Sequence, residues 1–517
     1  MFMLHRILSV SRALFVPALA AASDVEIFPN PLRAERSADF HVTAGGRDVF
    51  VETFKDVAIA HFSFLGEISV SVRATRSIRK VDISPHAARI VATQTNDNLT
   101  FQLTQPRHVV VEIDGRRLFI FADPIDAAAP KLGQKGVRSV LDFGVDRTGG
   151  ELDTARLQQA IDEVAAVRGT LLVPPGVYLT GTLSLKSNLT LHLAAGALLL
   201  GSPNRDDYPV ASGFQESDKK NDPANHTNQG EGFSNSQLLA IENATNVRLA
   251  GHGVIDGRGS IVRDQGKPAN LLRIRNSSHV TVEGVTLRNS AAWNTHILYS
   301  THVTFRGVKV VNDRAVSNSD GIDPDSAQDV LIENCFLYAG DDAFAIKTTN
   351  NSRLLRNAER ISVRGCMILT KKSALKLGTE TQAEAQRDIA FTDNDIVEAD
   401  RAMSLYCSDG ARFERIRFER NRVERFFPDR KQRAIEFWVR HRNGMQAGSI
   451  RDVLIADTTI EVDFPNPSLI EGFDADHGVS GVRFVNYRVA GRVCRTAADA
   501  RIEMNKFVQP PTFSVTP

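Results

Sequence analysis

Apolar and polar positions alternate through the first quarter of the chain. Asp48-Val49-Phe50-Val51-Glu52-Thr53, Ile68-Ser69-Val70-Ser71-Val72, Leu99-Thr100-Phe101-Gln102-Leu103, Val109-Val110-Val111-Glu112-Ile113 and Leu118-Phe119-Ile120-Phe121 are short alternating or apolar runs with turn residues between them. Period two puts successive side chains on opposite faces of a strand, and many strands with almost no helical stretch predict a β-sandwich of about 100 residues, over residues 23–126. The Ala- and Pro-rich stretch Ala122-Asp123-Pro124 through Gln134 reads as a linker. One helix is predicted near Thr154 to Val167, with Asp153 as its N-cap and Leu157, Ile161 and Val164 on one face. Its position suggests a lid.

Beyond Tyr178 the pattern changes to a repeat: an apolar pair flanking one residue, two polar or Gly residues, one inward position, one polar residue and another apolar one. It starts at Val247, Val280, Val303, Val330, Ile361, Ile389, Ile416, Val453 and Val482. Intervals of 23 to 37 residues mark a solenoid with one coil per repeat. Strands of three to five residues with no helix between them predict a parallel β-helix, over residues 135–517. Aligning the coils stacks Val285, Val308, Cys335, Cys366, Asn394, Asn421 and Thr458 at one inward site. The cysteines and asparagines are therefore expected to form interior ladders.

The 517 residues exceed one ordinary compact core, in keeping with a sandwich joined to a solenoid. With 62 Lys and Arg against 61 Asp and Glu, the chain has no electrostatic reason to bind nucleic acid or an anionic membrane. His5, Arg6 and Arg12 precede the apolar run Ala13 to Ala22, which reads as a secretory signal peptide over residues 1–22 and predicts a secreted or periplasmic protein. That run is short and broken by Pro17, and no later stretch reaches the roughly 18 apolar residues of a membrane span. Cys335, Cys366, Cys407 and Cys494 make no metal-ligand spacing and are expected to be buried free thiols.

Candidate chemistry concentrates in two short Gly-flanked segments, Asn318-Ser319-Asp320-Gly321-Ile322-Asp323 and Ala339-Gly340-Asp341-Asp342-Ala343-Phe344-Ala345-Ile346-Lys347. They lie about one coil apart, so the sheet spacing of about 4.8 Å brings Asp320 beside Asp341 and Asp342. Three carboxylates so close are costly to ionise together. Glycoside hydrolysis suits such a group: one carboxyl stays protonated and donates to the leaving oxygen, while ionised neighbours activate water. The same cluster could hold Ca²⁺, or merely cap a turn.

These residues resemble glycoside hydrolase family 28, the polygalacturonases and their relatives. Asn318 to Ser326 is similar to the family's Asn-Thr-Asp-Gly motif, and Gly340-Asp341-Asp342 through Lys347 to its Gly-Asp-Asp motif. Gly251 to Gly259, Asn289 to His296 and Asp142 to Asp146 are further matches. The resemblance implies a right-handed parallel β-helix and an inverting mechanism, with Asp341 as general acid and Asp320 with Asp342 positioning and deprotonating the water. Asn318, Lys347, His296 and Trp293 are candidate substrate-binding residues within the matching motifs, and Lys372 is a further one where the chain departs from them. For Trp293 and His296 simple packing of the coil is the favoured alternative, and Lys347 either contacts substrate or neutralises the three carboxylates.

Two departures narrow the implication. The family's Gly-His-Gly has no histidine here, and Lys372 or Ser373 takes its place within Thr370-Lys371-Lys372-Ser373. The Arg-Ile-Lys that grips a galacturonate carboxylate corresponds to Met403-Ser404-Leu405-Tyr406, without either cation. Glu380, Arg401 and the segment Glu436 to Arg442, with Trp438 as an aromatic platform, could rebuild a subsite on later coils. A polysaccharide or oligosaccharide is the expected partner, pectin the default, with a monomer acting without cofactor or metal. A polysaccharide lyase, a hydrolase of neutral glycans and a non-catalytic carbohydrate-binding solenoid are the competing readings. The Asp- and Asn-rich insertion from Asn204 to Asn235 is a candidate wall of the groove.

Overall fold

The computed structural model describes residues 24–30, 32–209, 236–266, 269–349, 355–429, 431–442 and 446–516. The signal-like segment and most of the Asn204–Asn235 insertion lie outside these residues.

The alternating runs of the first quarter form two sheets. The larger one orders the strands Glu35–Arg36, Val51–Phe54, Val57–Leu65, Arg116–Pro124, Arg107–Ile113 and Val81–Ser84, with Asp24–Ile27 paired to Val57–Leu65. The smaller orders Arg47–Val49, Phe40–Ala44, Ile68–Ala74, Asn98–Leu103 and Ala92–Gln94. Inward residues of both, such as Phe62, Phe64, Val70, Val72, Phe101 and Ile120, make one apolar core, as the period-two pattern requires. The last long strand runs to Pro124 and pairs Asp123 with Ser63, so the start of the Ala- and Pro-rich stretch belongs to the sandwich.

A right-handed parallel β-helix follows, with three sheets of 13, 13 and 11 strands. Every repeat start found in the sequence pairs in register with the next, from Val247 with Val280 through Val453 with Val482. The inward column is fully buried. Within it the Asn394 amide donates to Asn421 Oδ1 at 2.9 Å and to the Val363 carbonyl at 3.2 Å, and Asn421 donates to the Phe391 carbonyl at 2.9 Å. Asparagine is tolerated inside because each amide finds a partner one rung away. All four cysteines are buried and unpaired.

The helix Thr154–Ala166 buries Leu157, Ala160, Ile161, Val164 and Ala165 in the solenoid core beside Val140 and Leu171. It closes an end where strands would otherwise expose their interior. Asp153 precedes it but makes no side-chain cap; its carboxylate accepts from the Asp146 amide at 2.5 Å and pairs with Arg156 at 2.5 Å. Among the described residues no helix is long and apolar enough to cross a membrane.

The sandwich docks on the outer face of the second solenoid sheet. Phe54, Val57, Ile59, Val110, Phe119 and Phe121 share an apolar cluster with Val311, Phe336, Tyr338, Met367, Leu369 and Val397. Beside this cluster Glu398 is a buried hub that receives Arg117 of the sandwich at 2.6 Å and Arg314 and Arg425 of the solenoid at 3.0 and 3.3 Å. Burial opposes its ionisation, but the guanidiniums prevail and hold the Glu398 carboxyl down at about 2.

Candidate active site

Each coil leaves the second sheet through a turn and re-enters at the third, and the acidic motifs occupy three residues of two successive turns. The first turn joins Lys309–Val311 to Ile322–Asp325 and ends at Asp320; the second joins Phe336–Ala339 to Phe344–Thr348 and holds Asp341 and Asp342. Backbone bonds tie the two together: Gly321 N–H donates to the Asp342 carbonyl at 2.9 Å, and Gly340 N–H to the Ser319 carbonyl at 3.2 Å. Asn312 donates from its side chain to the Ser319 and Asp320 carbonyls at 3.0 and 3.1 Å and accepts from Asn294 one rung earlier at 2.9 Å. Asn318 sits at a left-handed φ of 52°, which Asn adopts at lower cost than most residues.

Asp320, Asp341 and Asp342 converge, each offering an oxygen within 4.8 Å of the others. Their surroundings differ. Burial raises the cost of ionising Asp342, yet Lys376 Nζ at 2.5 Å, Arg401 at 3.8 Å and the Ser373 amide at 2.8 Å overcome it, and the carboxyl lies well below the ordinary range. Asp341, half-buried at the rim, is pushed up by desolvation and by the charge on Asp342. Asp320 is pushed well up by burial and by Asp323, against the pull of Lys347. Among the described residues its Oδ1 has no hydrogen-bond partner.

Lys347 Nζ stands 3.5 Å from Asp320, 3.4 Å from Asp323 and 3.6 Å from Glu380, and 3.6 Å from the centre of the Trp293 ring. Desolvation works against its charge, but these carboxylates raise its pKa well above that of a free lysine. Asp323, fully buried, is raised to about 7 by burial despite Lys347. Glu380 continues the network to Arg442 at 3.4 Å, which holds Asp409 at 2.7 Å.

Of the residues the sequence singled out, the structure joins Asp320, Asp341, Asp342, Lys347 and Trp293 in one cluster. His296 is fully buried, in edge contact with Trp293 at 5.0 Å and bonded through Nε2 to Asp325 at 3.0 Å. It does not open onto the groove. Lys372 turns away to Asp429 at 2.6 Å, so the place beside Asp342 belongs to the Ser373 amide and to Lys376. Trp438 stacks on Tyr406 at 4.3 Å, Arg440 lies over the ring at 4.7 Å, and the side chain is buried, which leaves little of it to serve as a platform. Lys376, Asp323, Asn294 and Asn312 were missed. For Lys376 a signal existed: it stands between the inward Leu375 and Leu377, in register with Ala345, so it faces outward one rung from the paired aspartates.

Residues 170–405 match the profile of Glycosyl hydrolases family 28. They form a family 28 glycosyl hydrolase domain. This domain is 32% identical over 222 residues to a probable polygalacturonase of Vitis vinifera, 41% of this chain and 44% of that protein. It is 29% identical over 253 residues to an exo-poly-alpha-D-galacturonosidase of Dickeya chrysanthemi, 40% of this chain and 41% of that protein. The match thus spans less than half the length of these relatives. In fold, the chain is similar to an exopolygalacturonase from Thermotoga maritima, with a TM-score of 0.57 at 20% identity over 74% of this chain and 93% of that one. A family 28 exopolygalacturonase of Yersinia enterocolitica aligns with a TM-score of 0.53 at 17% identity over 97% of this chain and 98% of that one, so the fold likeness takes in the N-terminal sheets.

Proposed function

We propose that this family 28 domain hydrolyses glycosidic bonds of a polysaccharide or oligosaccharide of the polygalacturonan type, by inversion. The observation that carries the reading is the split of ionisation among three converged carboxyls. Asp341, raised and at the rim, is the general acid toward the leaving oxygen. Asp342, held ionised by Lys376 and Arg401, deprotonates the water, and Asp320, whose carboxyl burial pushes well up, helps to orient it. Lys347 serves as the counter-ion of Asp320 and Asp323 with Trp293 as its cover, while Asn318 stands at the rim toward the sugar. The chain is read as an exported monomer that needs no metal or cofactor.

Retention is the second reading, because carboxyls about 5 Å apart are usual for double displacement and about 6.5–9.5 Å for inversion. Inversion is preferred on the likeness to family 28. The Ser373 amide and Lys376 each donate to one oxygen of Asp342, which holds the carboxylate ionised and oriented as a base. The relatives' names favour galacturonan, whereas Ser404 and Tyr406 offer no carboxylate clamp, so neutral glycans are the competing substrates.

The test is hydrolysis of galacturonan, rhamnogalacturonan and neutral glucans with the anomeric form of the first product read by NMR. Asp341→Asn is expected to keep the fold and lose activity by about 10²–10⁴-fold. An unsaturated product would identify a lyase instead, and wild-type turnover in Asp341→Asn would end the acid assignment.

A further inference from the structure

The sandwich has a two-residue hairpin tip, Lys55-Asp56, where Phe54 pairs with Val57. This tip passes beyond the shared apolar cluster to the turns that carry the acidic residues. Lys55 Nζ pairs with Asp313 at 2.9 Å and donates to Ser260 Oγ at 3.3 Å. Asp56 Oδ2 accepts from the hydroxyl of the fully buried Tyr338 at 2.6 Å. Asp313 belongs to the turn that ends at Asp320, and Tyr338 to the strand that leads into Gly340 and Asp341. One hairpin tip therefore holds both turns from outside.

The two turns are also in contact with each other, so a shift of either is passed on. A Cβ at Gly340 would lie 2.9 Å from the Val316 carbonyl and against Ser319 Oγ. Arg314, beside Asp313, lies over the Tyr338 ring at 4.7 Å and binds the Glu398 hub. The contact chain is continuous: Lys55 and Asp56, then Asp313 and Tyr338, then Ser319 and Gly340, then Asp320 and Asp341.

We propose that the N-terminal sandwich is part of the reaction apparatus, and that Lys55 and Asp56 are positioning residues that set the spacing of Asp320 and Asp341 without touching substrate. The proposal rests on the hydrolase reading above. It follows from leverage: a displacement of about 1 Å at a reacting group costs about 10²-fold in rate, whereas a partly exposed pair such as Lys55–Asp313 adds little to stability. Loss of the tip's contacts should be read in turnover rather than in melting.

The experiment uses the full chain with Lys55→Met, Tyr338→Phe, the double variant, and Lys55→Arg as the conservative control. Tyr338→Phe keeps the buried ring and removes only the hydroxyl that meets Asp56. On the substrate found for the wild type, the double variant is expected to lose about ten-fold or more in kcat with KM within about two-fold, at an unchanged melting temperature. Lys55→Arg should restore most of the Lys55→Met loss. Unchanged kcat in the folded double variant would overturn the proposal, and so would a rise confined to KM, which would make the tip a substrate contact. A wild type that cleaves no glycan would instead sink the hydrolase reading and this inference with it.

Discussion

Lys376→Met tests the division of labour among the carboxyls most directly. Lys376 Nζ is 2.5 Å from Asp342 Oδ2, and both side chains are over nine-tenths buried. Opposite unit charges about 3 Å apart attract by roughly 5 kcal/mol at an effective dielectric of about 20, nearly four pKa units. Arg401 at 3.8 Å and the Ser373 amide remain, so a rise of roughly two to three units in Asp342 is expected. The sign follows from linkage. A depressed carboxyl contributes stability above its unfolded value and loses it as pH falls through its folded value, so the variant's stability deficit should be largest near neutrality and shrink in acid. If ionised Asp342 activates the water, the acid limb of the kcat profile should move up by roughly two to three units, so that turnover is retained near neutrality and is lost on acidification at a higher pH than in the wild type. Reducing-end release across pH, beside a urea melt of each variant, reads both quantities. A folded variant whose acid limb stays in place would refute the base role of Asp342.

Three further outcomes follow from the same contacts. Glu398→Gln strips the charge from the hub that joins Arg117, Arg314 and Arg425, and a loss of about 3–5 kcal/mol is expected in denaturant melts near neutrality; because the Glu398 carboxyl is held at about 2, the gap to wild type should close as pH falls from about 4.5 toward 2. His86 of the sandwich meets burial's opposition but is raised to about 9 by Glu461, Asp82 and Glu424, while burial raises Glu424 to about 7. Both bind protons more tightly in the folded state, so melting temperature should fall from about pH 4.5 to 7 through Glu424 and from about pH 6.5 to 9 through His86, and His86→Gln should flatten the upper part of that fall. Gly340→Ala places a Cβ against Ser319 Oγ and the Val316 carbonyl; kcat is expected to drop at least about ten-fold at nearly constant KM.

The sequence alone determined the coil register and the carboxyl triad's neighbourhood, for one physical reason. A parallel solenoid repeats the same inward positions on every rung, so the columns of Val280, Val303, Val330 and Ile361 are visible without coordinates, and residues one coil apart must be neighbours. The two-sheet sandwich was legible in the same way, through period two. The outward face obeys no such repetition. Which cation meets which carboxylate there depends on side-chain direction and on elements from distant parts of the chain. Lys372 is nearer in sequence to the expected histidine, yet it turns to Asp429, while Lys376, outward by one more strand alternation, takes Asp342. Trp438 has the chemistry of a sugar platform, but Tyr406 and Arg440 pack on its ring and bury it. The contact of Lys55 with Asp313 joins residues 258 positions apart across two separately patterned units, and nothing in either pattern specifies where their outer surfaces meet. Strand periodicity fixed what faces the core, and only the packed tertiary structure decided what faces the carboxylates.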